Sequence, residues 1–343
     1  MKRLAIGDIH LSCYKDDVIA EDGLPLRLHD LINVLKKLFI FAVENDVEHI
    51  DILGDLCNDK DIIYTDSINA FKDLILEFSN LQFTILSGNH DLSSVGDFQT
   101  STISLFSGYP NVNCYESPTT VGNITIIPYS NHMVNDIAEH DGGDILLSHL
   151  GISEAILQSG ISIASSVNMQ NISKWKLVLL GHYHTPQHLS RHNCEMYYTG
   201  SPIHTSWNDK NEKKRCLLYD TETLQVQSIG ITGFLEYREL IIDDDTENPA
   251  DVLKEAEELR SQGHKVRVRK RSKGDLDISN SSVIILEDHE VELQDRGIST
   301  AMNQTEILRK YLEVNEISGD EAEEYMNCVS SLIGINSGEV KED

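Results

Sequence analysis

Positive charge is scarce in this chain: 28 lysines and arginines stand against 56 aspartates and glutamates, a net charge of −28 over 343 residues. That balance excludes a broad electrostatic footprint for nucleic acid, so any phosphate contact must come from a local cluster. The six cysteines, Cys13, Cys57, Cys114, Cys194, Cys216 and Cys328, are scattered without paired spacing. A disulfide scaffold and a thiolate zinc site are thereby excluded, and free thiols in a reducing cytoplasm are expected. No apolar run approaches the roughly 20 residues of a membrane span, so no membrane partner is expected. Met1-Lys2-Arg3 is basic, but Asp8 interrupts the following apolar run too early for a signal peptide. Internal repeats and low-complexity tracts are also absent. The remainder is globular in character: 40% hydrophobic residues, and enough length for one large core plus a smaller domain.

Against that background, five short strings stand out: Gly7-Asp8-Ile9-His10, Gly54-Asp55-Leu56-Cys57-Asn58, Gly88-Asn89-His90-Asp91, Ser148-His149-Leu150 and Gly181-His182-Tyr183-His184. Each follows or ends an apolar run, such as Leu4-Ala5-Ile6, Ile50-Asp51-Ile52-Leu53 or Leu177-Val178-Leu179-Leu180. Such runs read as buried strands, whose C-terminal ends meet along one sheet edge. One string alone is an ordinary turn, since Gly-Asp and Asn-rich turns are common. All five in order, each behind a strand, supply carboxylate, amide and imidazole donors at one edge. Those donors suit manganese, iron or zinc, and two such cations activate water and clamp a phosphoryl group. The pattern predicts a binuclear metal phosphoesterase.

The set resembles the calcineurin-like metallophosphoesterase superfamily, and within it the SbcD-type DNA-repair nucleases. It is most similar to the recombination endonuclease subunits of T-even-like phages. Tyr109-Pro110-Asn111-Val112, Pro118-Thr119-Thr120-Val121, Ile127-Pro128, Tyr198-Thr199-Gly200-Ser201-Pro202 and Asp220-Thr221-Glu222-Thr223 carry the closer likeness, which is weak from about 243 to 303. The resemblance implies an α/β fold, a β-sandwich flanked by helices (αββα), with a small α/β capping domain and a C-terminal helical hairpin. It implies that Asp8, His10 and His184 hold a first divalent metal, that Asn89, His149 and His182 hold a second, and that Asp55 bridges them. Manganese is the expected metal, with magnesium, iron or zinc as alternatives. His90 matches the proton donor to the leaving 3′-oxygen, and Asp91 would orient it. Many SbcD-type nucleases carry a histidine where this chain has Asn58. Asn58 can hydrogen-bond DNA but cannot carry a proton, which puts exonuclease strength in doubt.

Seven of the 28 basic residues fall between Arg260 and Lys273. In a strand, Lys265, Arg267, Arg269 and Arg271 would share one face. That stripe reads either as a DNA phosphate contact or as an edge strand blunted by charge. His188 and His192 read as parts of a surface hairpin, and His132, His140 and His204 as loop residues, with His204 able to reach substrate. The first long helix is legible in Leu28, Leu31, Ile32, Leu35, Leu38, Phe39, Ala42 and Val43. The expected organisation is a nuclease domain at 1–235, a DNA-capping domain at 236–295 and a helical hairpin at 303–335. In that hairpin, Tyr325, Met326, Val329 and Leu332 lie on an apolar stripe that needs a cover. The resemblance implies DNA and an SbcC-like coiled-coil ATPase as partners, and allows a homodimer. The expected function is a DNA endo/exonuclease subunit. A stand-alone phosphatase or cyclic-nucleotide phosphodiesterase, or a scaffold that lost catalysis, are the competing readings.

Overall fold

The computed structural model describes residues 1–13, 18–93, 100–157, 162, 165–271, 284–287 and 309–313, with 317, 319, 322, 325 and 326. The glycine-ended apolar runs form the central strands of two six-stranded sheets. The first contains β1 (Lys2–Ile6), β2 (His49–Leu53), β3 (Gln82–Leu86), β4 (Val112–Tyr115), β11 (Arg215–Asp220) and β12 (Val226–Gly230), in the order β12-β11-β1-β2-β3-β4. The second contains β5 (Thr119–Val121), β6 (Ile124–Ile127), β7 (Ile145–His149), β8 (Leu177–Gly181), β9 (Gln187–Arg191) and β10 (Cys194–Tyr198), in the order β5-β6-β7-β8-β10-β9. Pairing is parallel from β1 to β4 and from β6 to β8. Parallel neighbours require crossovers. Those contain α1 (Leu26–Glu44), α2 (Thr65–Glu77), a 3-10 helix (Thr102–Phe106) between β3 and β4, α3 (Met133–Glu139) and the short α4 (Met169–Ile172).

Strand alternation divides the core into three layers. Leu4, Ile6, Ile50, Ile52, Phe83 and Ile85 turn outward under α1 and α2. Ala5, Leu53 and Leu86 turn inward and meet Ile145, Leu147, Leu177 and Leu179 of the other sheet. Leu146, Val178 and Leu180 face Met133, Ile137 and Ile172 on the far side. The architecture is the αββα sandwich. One helix position departs from expectation: Val43 is 43% exposed, whereas Val34 is buried. Val43 follows Ala42 and is rotated about 100° from the buried stripe.

A third sheet of three parallel strands follows: β13 (Tyr237–Ile242), β14 (Lys265–Lys270) and β15 (Ile284–Glu287). Its crossover helix α5 (Pro249–Ser261) starts as its sequence directs, with the Asn248 side chain accepting from Ala250 N at 3.2 Å. Strand β14 lies between β13 and β15. Blunting of an exposed edge therefore does not explain its arginines. The expected tail hairpin falls mostly outside the described residues, and Val329 and Leu332 lie wholly outside them. Residues 309–313 and 325–326 are helical, with Tyr325 exposed. No helix among the described residues is long and apolar enough to cross a membrane.

Candidate metal centre

The C-terminal ends of β1, β2, β3, β7 and β8 deliver all five strings to one edge of the sandwich. Beyond the strands, backbone pairing continues: Asp8 N donates to Gly54 O at 3.2 Å and His10 N to Asp55 O at 2.9 Å. These bonds bring the first two strings side by side. Asp8, His10, Asp55 and His182 all have positive φ (52°, 52°, 51° and 100°). Left-handed backbone at non-glycine residues costs of order 1–3 kcal/mol each and tends to gather at functional sites. Glycine is required where the strings pack together. A Cβ on Gly88 would sit 2.2 Å from Asp55 Oδ1, and one on Gly54, at φ 82°, would sit 2.4 Å from His149 Nδ1.

Two donor groups result. Asp8, His10 and His184 each offer an atom within 4.8 Å of the others, as do Asp8, Asp55 and His149. His10 Nε2 and His184 Nε2 are 2.9 Å apart. Asn89 Oδ1 lies 3.1 Å from His149 Nε2 and 2.9 Å from His182 Nδ1, so these three also converge. Asp55 Oδ2 lies between the groups, 3.7 Å from His10 Nε2 and 3.3 Å from His149 Nε2. Among the described residues the buried Asp8 Oδ2 has no hydrogen-bond partner, while Oδ1 accepts from His182 N at 2.9 Å. A buried, unsatisfied carboxylate oxygen beside two facing imidazole nitrogens fits a divalent cation, since buried polar atoms are otherwise partnered.

The charges are arranged accordingly. Burial and the neighbouring His184 push His10 down to about 3, so it is neutral, the ligand form. Burial and His149 likewise push His182 down to about 4. Burial would lower His149 too, but the charge and hydrogen bond of Asp55 lift it to about 9. His149 holds its Nδ1 against Leu53 O at 2.8 Å, which fixes Nε2 toward the cluster. Burial works to raise Asp55, and His149 overrides it, holding this carboxyl well below the usual range.

His90 sits beside this cluster, its ring 5.0 Å from that of His10. Its Nδ1 donates to Asn58 O at 2.6 Å, so Nε2 is the ring nitrogen not engaged by that carbonyl. The backbone carbonyl of Asn58 thus reaches the site, while its side-chain amide donates to Asp59 at 3.2 Å. The expected pairing of Asp91 with His90 does not occur. The fully buried Asp91 carboxylate accepts from the backbone amides of Gly88, Cys57 and Leu56, at 2.8, 2.9 and 3.2 Å. Consecutive side chains diverge in this turn, so Asp91 ties the second and third strings together instead of orienting the imidazole. Burial and the Asp55 charge push it up to about 6.

Two cavities flank the cluster and share His182 and Tyr183. One, of about 560 Å³, is lined by uncharged groups including Tyr129, Ser130, Asn131 and Asn135. The other, of about 390 Å³, is lined by His184, Thr205, Asn208 and Lys210. Beyond Lys210, Lys265, Arg267 and Arg269 share one face of β14, while Val266 and Val268 are buried on the other. Arg267 lies 4.2 Å over the Trp207 ring and pairs with Glu239 at 2.6 Å; Arg269 reaches the same carboxylate at 3.2 Å. Arg271, expected on that face, follows the end of the strand and is exposed. His188 stacks on Tyr197 across the β9–β10 hairpin. His204 is 1% exposed, so it cannot meet substrate; it accepts from Tyr237 N at 2.9 Å and donates to Glu212 O at 2.8 Å. Three residues that no motif flags, Thr205, Asp209 and Lys214, pack directly behind His184.

The family model described as calcineurin-like phosphoesterase matches residues 1–186. Exonuclease subunit 1 of Enterobacteria phage T4 is 24% identical over 241 residues, covering 67% of this chain and 67% of that protein. Among solved structures, an archaeal phosphodiesterase is 14% identical with a TM-score of 0.37, over 67% of this chain and 99% of its own. A dimetal phosphatase from Danio rerio is 11% identical with a TM-score of 0.39, over 68% of this chain and 99% of its own.

Proposed function

Because the chain belongs to the calcineurin-like phosphoesterase family, we propose that it is a metal-dependent DNA endo/exonuclease, the nuclease subunit of an SbcCD-like recombination and repair complex. The observation that carries this reading is the convergence of seven oxygen and nitrogen donors, with His90 beside them, at one edge of two sheets. Asp8, His10 and His184 would hold one divalent cation and Asn89, His149 and His182 the other, with Asp55 between them. Bound there, the cations would supply Lewis-acid polarisation of a phosphodiester and of its attacking water. Manganese is the first choice for these donors, and magnesium, iron or zinc also suit them.

The protein's own residues contribute orientation and a proton. With Nδ1–H anchored on the Asn58 carbonyl, His90 in its imidazolium form would donate its Nε2 proton to the leaving 3′-oxygen of DNA, a poor leaving group that needs protonation. The substrate class is supported by the likeness to a phage exonuclease subunit. It is supported also by the basic face of β14, Lys265, Arg267 and Arg269, in an otherwise acidic chain. On this reading 1–235 is the nuclease unit, 236–295 caps DNA, and 303–335 binds an SbcC-like coiled-coil ATPase through Tyr325, Met326, Val329 and Leu332. A second reading, a stand-alone metallophosphatase or cyclic-nucleotide phosphodiesterase, is favoured by one observation: Glu239 partly neutralises the basic face.

The separating experiment is manganese-dependent cleavage of circular single-stranded DNA beside hydrolysis of a small phosphodiester, with and without a candidate ATPase. Cleavage of the circle, stimulated on duplex ends by ATPase and ATP, is the expected outcome. Hydrolysis of the small diester alone would establish the second reading.

A further inference from the structure

The segment that follows β10 closes over the back of His184. Thr205 Oγ1 lies 3.3 Å from His184 Nδ1 and 2.7 Å from Asp209 Oδ2. Asp209 Oδ2 also accepts from the backbone amides of Thr205 and Ser206, at 2.8 and 3.0 Å. Its other oxygen accepts from Lys214 Nζ at 2.9 Å. The Lys214 side chain is fully buried; it donates as well to Glu212 at 2.6 Å and to the His184 carbonyl at 3.1 Å. A lysine without solvent, shared by two carboxylates and one carbonyl, keeps Asp209 ionised and therefore a pure acceptor.

That fixes the direction of each proton. A hydroxyl has one hydrogen. Since Asp209 can only accept, Thr205 Oγ1 must donate to it, and the oxygen is left as an acceptor for His184. The His184 proton accordingly sits on Nδ1, and Nε2, 2.9 Å from His10 Nε2, presents a lone pair to the donor cluster. Of the two neutral tautomers, only this one can ligate a cation held with Asp8 and His10. The backbone of His184 is held too, by Lys214 Nζ and by Ser201 N at 3.1 Å.

We propose that Thr205 and Asp209 are positioning residues for metal binding, with Lys214 holding Asp209 charged. Together they lock His184 into the tautomer and orientation that complete the Asp8–His10–His184 site. The inference rests on the metal-centre reading above and adds three residues to it. Loss of such an outer hydrogen bond commonly weakens metal affinity by about 10–100-fold.

The test uses the full chain, stripped of metal and titrated with Mn²⁺ by calorimetry, as wild type, Thr205→Val, Thr205→Ser and Asp209→Asn. Wild type should bind two ions. Thr205→Val, which keeps shape and removes the hydroxyl, should weaken one of the two sites by about tenfold or more and spare the other. Thr205→Ser should restore the wild-type affinity, and Asp209→Asn should weaken the same site. Imidazole nitrogen NMR of the zinc-loaded protein supplies a readout independent of affinity. The His184 Nδ1–H resonance should be protected from exchange in wild type and in Thr205→Ser, and lose that protection in Thr205→Val. Should Thr205→Val fail to fold, Thr205→Ala carries the same expectations. Two unchanged sites in the valine variant, or no rescue by serine, would overturn the proposal. A wild-type protein that binds fewer than two ions would instead refute the metal-centre reading beneath it.

Discussion

At the scale of single residues, the site is a set of opposed preferences held in place by strained backbone. Asp55 lies between the two donor groups, so Asp55→Asn replaces a carboxylate by one neutral oxygen where two divalent charges would meet. Loss of one or both metals and of nearly all activity is expected; two bound ions with normal turnover would remove Asp55 from the bridging position. His90→Ala should leave the metals bound and slow DNA cleavage by about 10²-fold or more, the usual worth of a general acid. An activated aryl phosphodiester needs no protonated leaving group and should suffer much less. Equal losses on both substrates would take His90 out of the acid role. The pH dependence of metal binding follows from His149, raised to about 9 by Asp55 against the effect of burial. Below that pH the metal-free imidazole holds a proton on the nitrogen that must face the ion, so binding releases it. Affinity should therefore fall about tenfold for each pH unit lowered and level off above about pH 9. Calorimetry in buffers of different protonation enthalpy counts the released proton, and no release at neutral pH would show that His149 is already neutral before the ion binds.

At the scale of elements, the strands that carry the five strings are readable because a buried parallel strand is an apolar run and a tight exit needs glycine. The helix over Pro249–Ser261 is readable from its cap for a similarly local reason. What depends on contacts between distant elements is not. Strand β14 reads as a strand from its alternation, but its central position depends on β15, outside any local pattern. Asp91 reads as a partner for His90 by adjacency, whereas the turn geometry sends it to three backbone amides. The role of the Asn58 carbonyl is invisible in sequence because main-chain contacts leave no mark on residue type. Thr205, Asp209 and Lys214 sit in no glycine-flanked string, and only the fold brings them behind His184. The basic face of β14 carries its own prediction. Changing Arg267 and Arg269 together to Ala should weaken DNA binding across all sequences and flatten its salt dependence by about one log–log unit for each phosphate no longer neutralised. Both arginines share Glu239, so part of their charge is already spent within the sheet. A Glu239→Gln variant should therefore strengthen binding and steepen the slope. An unchanged slope in the double-alanine protein would reduce this face to an internal ion-pair cluster.

At the scale of the whole molecule, the candidate metal centre lies between two sheets and would fasten them when filled. The donors come from β1, β2 and β3 on one side and from β7 and β8 on the other, and the two sheets otherwise meet through the apolar layer of Ala5, Leu53, Leu147 and Leu179. Without cations, this edge gathers three left-handed residues from the first sheet and a buried Asp8 oxygen without a hydrogen-bond partner among the described residues, all of which oppose folding. Ligands that bind only the folded state add stability as RT ln(1 + [L]/Kd), about 2.7 kcal/mol for each ion at a hundredfold excess over Kd. For a chain of this size, two ions should raise Tm by roughly 10 °C. The gain should require both sheets to contribute: Asp8→Ala and His149→Ala should each remove much of it, although the residues belong to different sheets. Differential scanning calorimetry of stripped and manganese-saturated protein measures this directly. Coincident melting curves would mean that the donors do not fasten the sheets through metal, and that the sandwich stands on its apolar layers alone.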